Sequence, residues 1–414
     1  MSRLAVKGGP PVVNEDVPSW PQWSKLEREY LLRALEEGGW GGYPEPMPMA
    51  EKFAFRFARA HDAQYGVMCA NGSVSLELAL KAAGIGYGDE VIVPAYTWIA
   101  TAAAPVHVNA VPVFVDVSEK NYCIDPNLIE AAITPRTRAI IPVHLGASVA
   151  DMDRIMEIAR KHDLVVIEDC AHAHGARWKG RGVGSIGDFG SFSFQTSKSM
   201  TSGEGGIVIT NSEEYAMRLH SLVNCGRKED GYVTLQGDWF GYNYRITEFQ
   251  AGILLGQLER LEAWTLKKER NLERLADGLK AADAGVEVIP RDPRVTRQGV
   301  YQVVMKYNKE AFHGLSRDMF IQAMQAEGVE MEGDFYEPVY RSPLFRVSSR
   351  DWPALKDRYS EGIGPDSAYC PVTERAAYEE ALWLHHRYLL GSETLVDQIV
   401  EAVLKVKKYS GELV

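Results

Sequence analysis

The stretch Val165-Val-Ile-Glu-Asp169 is central to the fold of this chain, because it is a short apolar run that ends in carboxylates. Three comparable runs precede it: Glu90-Val-Ile-Val-Pro94, Val111-Pro-Val-Phe-Val115 and Ala139-Ile-Ile-Pro-Val143. Near-continuous apolar character is typical of strands that are buried on both faces. Helix-length amphipathic segments lie before the first run, at residues 74–83, and between the last two, at residues 151–162. Strands that alternate with helices predict βαβ units and a mostly parallel sheet.

Two later segments, Gly190-Ser-Phe-Ser-Phe194 and Gly206-Ile-Val-Ile-Thr210, are also strand-like, and the short loop between them favours antiparallel pairing. A long helix is predicted from Thr247 to about Ala281. One strand and two helices are predicted beyond it, at residues 300–307, 316–327 and 395–407. The sequence therefore predicts an α/β fold in two domains. The large domain, residues 1–265, includes an N-terminal arm, and the smaller α+β C-terminal domain covers residues 266–414.

The composition of the 414-residue chain is typical of a globular protein, with 46% hydrophobic and 24% charged residues. A net charge of −11 argues against nucleic acid or an anionic membrane as the main partner. The five cysteines have no CxxC spacing, so we expect reduced thiols in a cytoplasmic protein. The N-terminal stretch Met1-Ser-Arg-Leu-Ala-Val-Lys7 lacks the apolar core of a signal peptide, and no stretch is long enough to span a bilayer.

Lys198 lies in the segment Ser191-Phe-Ser-Phe-Gln-Thr-Ser-Lys-Ser-Met-Thr-Ser-Gly-Glu-Gly-Gly206, where small hydroxyl residues flank it. An amine in such surroundings suits a ligand that carries both an aldehyde and a phosphate, and pyridoxal phosphate is the common molecule with both. Lysine forms a Schiff base with such carbonyls when burial or a neighbouring cation lowers its pKa. The alternative is a surface lysine in a polar loop, which is where most lysines lie.

Other polar and aromatic groups follow the predicted strands, and ligands of parallel α/β sheets bind at the carboxyl ends of strands. Asn71-Gly-Ser-Val-Ser75 opens a helix, so its backbone amides and the Ser73 hydroxyl could hold a phosphate; an ordinary helix cap is the alternative. Asp169 could pair with a pyridinium nitrogen and keep it protonated. Trp98 could stack on a flat ring, although a core position is the usual one for an aromatic residue.

A metal site is an alternative for part of this set, because Asp169, His172 and His174 form a DxxHxH cluster. Histidines at i and i+2 point apart on a regular strand or helix, so one metal would need an irregular backbone to bind both, and we predict no metal. The segment Gly241-Tyr-Asn-Tyr-Arg-Ile-Thr-Glu248 offers an amide, two phenols and a cation before the long helix. The alternative is a helix start that is capped by Thr247 or Asn243.

In this order along the chain, the phosphate turn, the aromatic residue, the strand-end carboxylate and the lysine resemble the DegT/DnrJ/EryC1/StrS aminotransferases. The resemblance implies an aspartate-aminotransferase-like fold, pyridoxal 5′-phosphate as cofactor and a homodimer with shared active sites. It implies that Lys198 binds the cofactor and shuttles the proton, and that Asp169 pairs with the pyridine nitrogen. His172 stands where the family usually has glutamine near the phenolic oxygen, and Trp98 would stack on the ring. The implied phosphate contacts are Gly72, Ser73, Ser193 and Asn243 of the partner subunit.

Four segments resemble the subgroup that acts on carbocycles, the glutamine:scyllo-inosose-type aminotransferases and 3-amino-5-hydroxybenzoate synthase: Ser193-Phe-Gln-Thr-Ser-Lys198, His172-Ala-His-Gly-Ala-Arg-Trp178, Val143-His-Leu-Gly-Ala-Ser-Val-Ala-Asp-Met-Asp153 and Leu382-Trp-Leu-His-His-Arg-Tyr-Leu-Leu390. The resemblance implies transfer of an amino group from L-glutamine or L-glutamate to a ring ketone of a cyclitol or sugar, as in antibiotic biosynthesis. The alternatives are a dehydratase that aromatises a ring, an aminotransferase for NDP-ketohexoses and a non-catalytic relative.

Several cationic or imidazole side chains are candidates for binding the donor carboxylate or the ring hydroxyls: His144, Arg227, Arg245 and His386. Two further segments, residues 334–338 and 385–387, could form the wall of a pocket for the ring. A free cyclitol would need hydroxyl-binding polar groups there and no clamp for a diphosphate.

Overall fold

The computed structural model describes residues 3–42, 47–227, 239–346, 352–360 and 365–414. Its strands are β1 (Tyr65–Cys69), β2 (Glu90–Pro94), β3 (Val111–Val115), β4 (Thr137–Ile140), β5 (Val165–Asp169), β6 (Arg177–Trp178), β7 (Arg181–Gly182), β8 (Phe189–Ser193), β9 (Gly206–Thr210), β10 (Val286–Val288), β11 (Val295–Arg297), β12 (Gln302–Tyr307), β13 (Met331–Glu332) and β14 (Ala381–His385). Its α-helices are α1 (Lys25–Glu37), α2 (Pro48–Ala60), α3 (Gly72–Ala82), α4 (Ile99–His107), α5 (Pro126–Ile129), α6 (Met152–His162), α7 (Glu213–Val223), α8 (Glu248–Ala281), α9 (Arg317–Ala326), α10 (Pro353–Ser360), α11 (Pro371–Arg375) and α12 (Glu393–Tyr409). Within these ranges, no helix combines the length and the apolar character that a membrane crossing requires.

A seven-stranded sheet in the order β1-β9-β8-β5-β4-β2-β3 forms the centre of the larger part of the molecule. The pairs from β8 through β5, β4 and β2 to β3 are all parallel. Only β9 runs the other way, pairing antiparallel with both β1 and β8. Val166 and Ile167 in β5 have no exposed surface, so the sheet is covered on both faces. The predicted parallel sheet and the predicted antiparallel pair are confirmed.

The predicted helices begin at residues whose side chains cap them. Asn71 accepts a hydrogen bond from a backbone N–H in the first turn of α3, and Asp151 does the same for α6. Thr247 caps α8 in a capping box with Gln250, so Thr247 is the cap and Asn243 is not. Such caps satisfy backbone donors that have no partner inside the helix, which fixes where each helix starts.

One strand is shorter than the sequence predicts. The apolar run to Val143 continues past the end of β4, which stops at Ile140. Pro142 has no N–H group to add to the ladder, so regular pairing cannot pass through it. Its carbonyl instead accepts the Asp169 N–H at 2.9 Å, and Val143 keeps a single bridge to Asp169. The irregular segment thereby holds the end of β5 in place.

The C-terminal part has its own four-stranded antiparallel sheet, in the order β10-β12-β14-β13. The strand and the two helices predicted there are confirmed as β12, α9 and α12, and they share one apolar core. Leu4 and Val13 of the N-terminal segment pack into the same core. Because α8 runs without interruption through residue 265, the domain boundary at that position stays a prediction.

Candidate active site

Four strands of the large sheet, β1, β2, β5 and β8, run in the same direction, so their carboxyl ends lie along one edge. These ends carry most of the residues that the sequence singles out. Gly72 and Ser73 follow β1, and Trp98 follows β2. Asp169 ends β5, and Ser193 ends β8, with Lys198 shortly after it. One edge of the sheet therefore carries six of the predicted site residues: Gly72, Ser73, Trp98, Asp169, Ser193 and Lys198.

The Lys198 amine lies in the interior of this edge, with its Nζ 4.1 Å from the centre of the Tyr301 ring. Burial lowers its pKa to about 8, and the charge of Asp169 opposes that shift. No carboxylate of the described residues lies within ion-pair distance of the amine. A lysine with such a pKa is partly neutral near pH 7–8, so it can attack a carbonyl.

The Asp169 carboxylate is almost completely buried. Its Oδ2 accepts a hydrogen bond from the Thr101 hydroxyl at 2.9 Å, and its Oδ1 accepts one from the Ala171 N–H at 3.2 Å. Burial raises the pKa of this carboxyl, while the two hydrogen bonds and the Lys198 charge act in the opposite direction. Within the described ranges, no arginine or lysine pairs with it. A buried carboxylate without a paired cation is suited to bind a cationic group of a ligand.

His172 is held as a neutral ring. Its Nδ1 accepts the Gly146 N–H at 3.1 Å, so the ring proton of the neutral form sits on Nε2, 3.0 Å from the Tyr336 hydroxyl. Burial lowers the pKa of His172 well below its ordinary value, and the Lys198 charge adds to that effect. The ring centre also lies 4.3 Å from that of Tyr301. The contacts place His172 in the same group of side chains as Lys198.

The first turn of α3 provides the anion-binding end of the site. Ser73 is exposed there, beside backbone N–H groups that have no partner inside the helix. Gly72 packs closely on Ser193: a Cβ added at Gly72 would lie 2.5 Å from Ser193 Cβ and 2.9 Å from its Oγ. Only glycine permits this approach, which places the Ser193 hydroxyl next to the helix terminus.

Gly72→Ala is expected to lower the free energy of unfolding by about 1–3 kcal/mol, because the added methyl group has no space beside Ser193. If pyridoxal phosphate binds here as the sequence predicts, the variant should also bind it more weakly in a titration of the protein without cofactor. Gly86→Ala is the control, because its added Cβ meets nothing closer than the Val108 carbonyl at 3.8 Å. Equal thermal unfolding and binding for both variants would contradict the prediction.

Trp98 and Asn243 are largely exposed. Trp98, with 57% of its surface accessible, directly precedes α4 without a capping hydrogen bond from its side chain, and its ring centre lies 6.4 Å from that of Tyr336. Asn243 forms an isolated bridge with Asn224 and accepts the Arg245 N–H at 3.4 Å. Both side chains are positioned to contact a ligand or a second chain, and their roles stay predictions.

The four candidates for the donor carboxylate or ring hydroxyls lie in different surroundings. His144 is completely buried; its Nε2 lies 3.0 Å from Glu168 Oε2, and its Nδ1 accepts the Ala150 N–H. No nitrogen of His144 is left for a substrate, so that hypothesis is wrong. His386 is also completely buried, although neither nitrogen has a hydrogen-bond partner in the described structure. Arg227 and Arg245 both contact the Asn224 side chain, on the exposed surface next to Asn243.

The DxxHxH cluster does not form one ligand set. Asp169 faces Thr101, His172 lies between Gly146 and Tyr336, and His174 lies with its Nε2 2.9 Å from the Ser193 carbonyl. The backbone after β5 is irregular, yet it does not bring the two histidines together, and each faces different neighbours.

Three residues around the lysine were not identified as site residues from the sequence: Thr101, Tyr301 and Tyr336. Thr101 lies in the first turn of α4, and its closeness in the chain to the predicted site residue Trp98 was the one feature of the sequence that could have indicated it. Tyr336 falls within the segment 334–338 proposed as a pocket wall, and that segment does reach His172. Tyr301 falls inside the strand predicted at residues 300–307 and directly before the observed β12, and nothing in its local sequence indicates a contact with Lys198.

The chain belongs to the DegT/DnrJ/EryC1/StrS aminotransferase family, whose model matches residues 23–404. It is 50% identical over 408 residues to a protein of Streptoalloteichus tenebrarius named "Putative L-glutamine:3-amino-2,3-dideoxy-scyllo-inosose aminotransferase", with 98% of each chain covered. A second protein of that organism, named L-glutamine:2-deoxy-scyllo-inosose aminotransferase, is 39% identical over 422 residues, with 99% of each chain covered.

Among solved structures, 3-amino-5-hydroxybenzoic acid (AHBA) synthase is 33% identical, with a TM-score of 0.81 over 95% of this chain and 98% of that one. Structural neighbours with this fold include a Streptococcus pneumoniae protein named "Putative sugar aminotransferase" in its PLP form, 24% identical, with a TM-score of 0.78 over 96% of this chain and 99% of that one. The predicted family, fold and enzyme class are confirmed: the chain is an aminotransferase-family protein with the aspartate-aminotransferase-like fold.

Proposed function

We propose that this protein uses pyridoxal phosphate to transfer the amino group of L-glutamine to the ring ketone of a free cyclitol. The observation that carries the proposal is the combination of the interior Lys198 amine with the buried Asp169 carboxylate at one sheet edge. One group can bind an aldehyde, and the other requires a cation. Pyridoxal phosphate offers both an aldehyde and a basic ring nitrogen.

The residues fit this cofactor along its whole length. Asp169 would hold the protonated pyridine nitrogen, and Lys198 would hold the aldehyde carbon. Ser73, Ser193 and the N-terminal amides of α3 would hold the phosphate, with Gly72 allowing their close approach. His172 would lie near the phenolic oxygen, and Trp98 would cover one face of the ring. When bound, the cofactor supplies an electron sink for charge that develops at the substrate carbon.

Lys198 has the chemical role in the transfer. With the cofactor bound, its neutral amine would be the base that takes the proton from Cα of glutamine and the acid that returns it on the side of the cofactor. Asp169 would stay ionised and would hold the proton on the ring nitrogen. The ring ketone then receives the amino group by the reverse proton path. Overall, L-glutamine and the ketone give 2-oxoglutaramate and the ring amine, with no external oxidant or reductant.

The ketone is proposed to carry an amino group already. Two relatives from one organism act, by their names, on different rings, and this chain is more similar to the one whose ring bears an amine, 50% against 39% identity. The proposal extends to a homodimer in which the exposed Asn243 completes the site of the other copy. Recovery of activity on mixing Lys198→Ala with Asn243→Ala protein would support such shared sites, and no recovery would argue against them.

The test is product analysis with three ketones. Protein loaded with pyridoxal phosphate is incubated with L-glutamine and, in turn, with 3-amino-2,3-dideoxy-scyllo-inosose, 2-deoxy-scyllo-inosose and an NDP-ketohexose. We expect mass spectrometry to detect the amine of the first ring at the highest rate, together with 2-oxoglutaramate. Amination of the NDP-ketohexose alone, or a rise in aromatic absorbance without amine formation, would overturn the proposal in favour of one of the alternatives.

A further inference from the structure

A cavity of about 440 Å³ lies next to the loop that carries Lys198. Ser197 lines this cavity, and its hydroxyl lies 2.7 Å from the Tyr301 hydroxyl. The Lys198 amine lies over the ring of the same tyrosine. Tyr301 therefore contacts both the cavity wall, through Ser197, and the reactive amine of Lys198. The cavity could bind the part of a substrate that points away from the cofactor.

Two carboxylates line this cavity, and they differ in their partners. Glu330 forms an ion pair with Arg387, which also lines the cavity. For the Glu332 carboxylate, no ion pair and no hydrogen bond is found among the parts of the chain that the structure describes. Glu332 is an exposed residue whose carboxyl is partly buried; that burial and the Asp334 charge raise the pKa of Glu332, and the charge of Glu332 in turn contributes to the raised pKa of Tyr301. The charge of Glu332 thus acts on a residue of the site, and no cation in the described ranges is paired with Glu332.

The rest of the lining suits a polyhydroxylated ring. Trp20 and Trp383 contribute aromatic surface, and His385 and Gln302 contribute polar groups. Aromatic surface can cover the C–H face of a ring, while polar groups at the edges bind hydroxyls. A neutral ring would leave Glu332 without a partner after water is displaced, which is unfavourable. A ring that carries an ammonium group would supply that partner.

We propose that Glu332 determines specificity by binding the ammonium group that the ring ketone already carries. This inference rests on the proposed function and names the group in the same site that distinguishes an aminated ring from a neutral one. Arg387, already paired with Glu330, leaves Glu332 as the carboxylate that is available for this contact.

The experiment compares kcat/KM for 3-amino-2,3-dideoxy-scyllo-inosose with kcat/KM for 2-deoxy-scyllo-inosose, with L-glutamine as donor. In Glu332→Gln protein we expect the ratio of the two values to fall by about tenfold or more, mainly through KM for the aminated ring, because a charge-assisted contact is lost. Glu332→Asp keeps the charge and should retain most of the preference. Glu401→Gln is the matched control, since Glu401 is an exposed carboxylate of α12 outside the cavity.

If the ratio of the two kcat/KM values does not change in Glu332→Gln protein, whether or not both values fall, the role of Glu332 would be overturned. The proposed function would remain. A wild-type protein that aminates neither ring would instead remove the proposed function, and this inference with it. A ratio that falls in Glu332→Gln and is restored in Glu332→Asp would support the assignment. If Glu332 had only a structural role, the ratio would not depend on whether the side chain is charged.

Discussion

Lys198→Ala is expected to lower transamination by at least about 10³-fold, because the variant lacks the amine that we propose both holds the cofactor and moves the proton. The cofactor could still bind through its phosphate and ring nitrogen, so the loss should appear in kcat. Reaction of the loaded protein with borohydride provides a readout that does not depend on activity. In the wild type, reduction should fix the cofactor to the peptide that contains Lys198, and mass spectrometry would detect the added mass.

Lys161→Ala is the matched control, because Lys161 is an exposed lysine that pairs with Glu130 at the surface. It should retain both the activity and the borohydride-fixed cofactor of the wild type. Wild-type turnover in Lys198→Ala would contradict the assignment of the reactive amine. A fixed cofactor on a different lysine would do the same, and it would identify the lysine to study instead.

Asp169→Asn is expected to lower kcat by about 10²–10³-fold, because asparagine cannot keep the pyridine nitrogen protonated by charge. The amide has nearly the same shape, and it can accept from the Ala171 N–H and donate to the Thr101 hydroxyl. The geometry of the strand end should therefore persist. Single-turnover rates with L-glutamine, measured at saturating cofactor, would separate this chemical defect from weaker cofactor binding.

The same variant should be more stable than the wild type when both lack the cofactor. Burial raises the pKa of Asp169 in the folded protein, so the folded state binds more protons than the unfolded chain between the two pKa values. Stability therefore falls as pH rises through that interval, and the cost of the buried charge is fully present above it. Asparagine removes this cost, so we expect thermal unfolding of the variant about 2 °C higher at pH 8, with the difference closing toward about pH 4.

The neighbouring carboxylate, Glu168, provides a control in which the corresponding amide substitution should lower the stability of the protein instead of raising it. Glu168 is completely buried, but its oxygens accept hydrogen bonds from three backbone N–H groups and face one imidazole: Gly184, Ile186, Gly187 and His144. Glu168→Gln would turn an NH₂ group toward these donors, so the free energy of unfolding should fall by about 2 kcal/mol. If Asp169→Asn also lowered stability at pH 8, the proposed cost of the Asp169 charge would be wrong.

The sequence predicted the fold well because its signals are local. Apolar runs of strand length, separated by amphipathic segments, required a parallel sheet, and a parallel sheet places Asp169 and the residues before and after Lys198 at one edge. Capping side chains that the sequence offered, such as Asn71 and Thr247, stand at the observed helix starts. Where a strand end was misplaced, at β4, the missing N–H of Pro142 was the local reason.

The pairing of side chains could not be predicted in the same way. His144 was a candidate for substrate binding, yet it faces Glu168 in the core, and the sequence does not show which of two buried groups will meet. The contact between Lys198 and Tyr301 joins a loop of the large sheet to the start of β12, far along the chain. Such contacts depend on how the two sheets pack, which no local pattern reports.

The sequence by itself determined the parallel sheet, the edge that carries the site and the residue types available for the chemistry, because strand periodicity, capping and strand direction act over a few residues. Only the tertiary structure decided which of those residues are buried, which partners they contact and in which direction their pKa values shift. It buried Asp169 without an ion pair among the described residues, lowered the pKa of Lys198, fixed His172 as a neutral ring and paired Glu330 with Arg387, while Glu332 has no ion pair within the described ranges. Burial and pairing arise from groups brought together across long stretches of chain, so they exist only once the chain has folded.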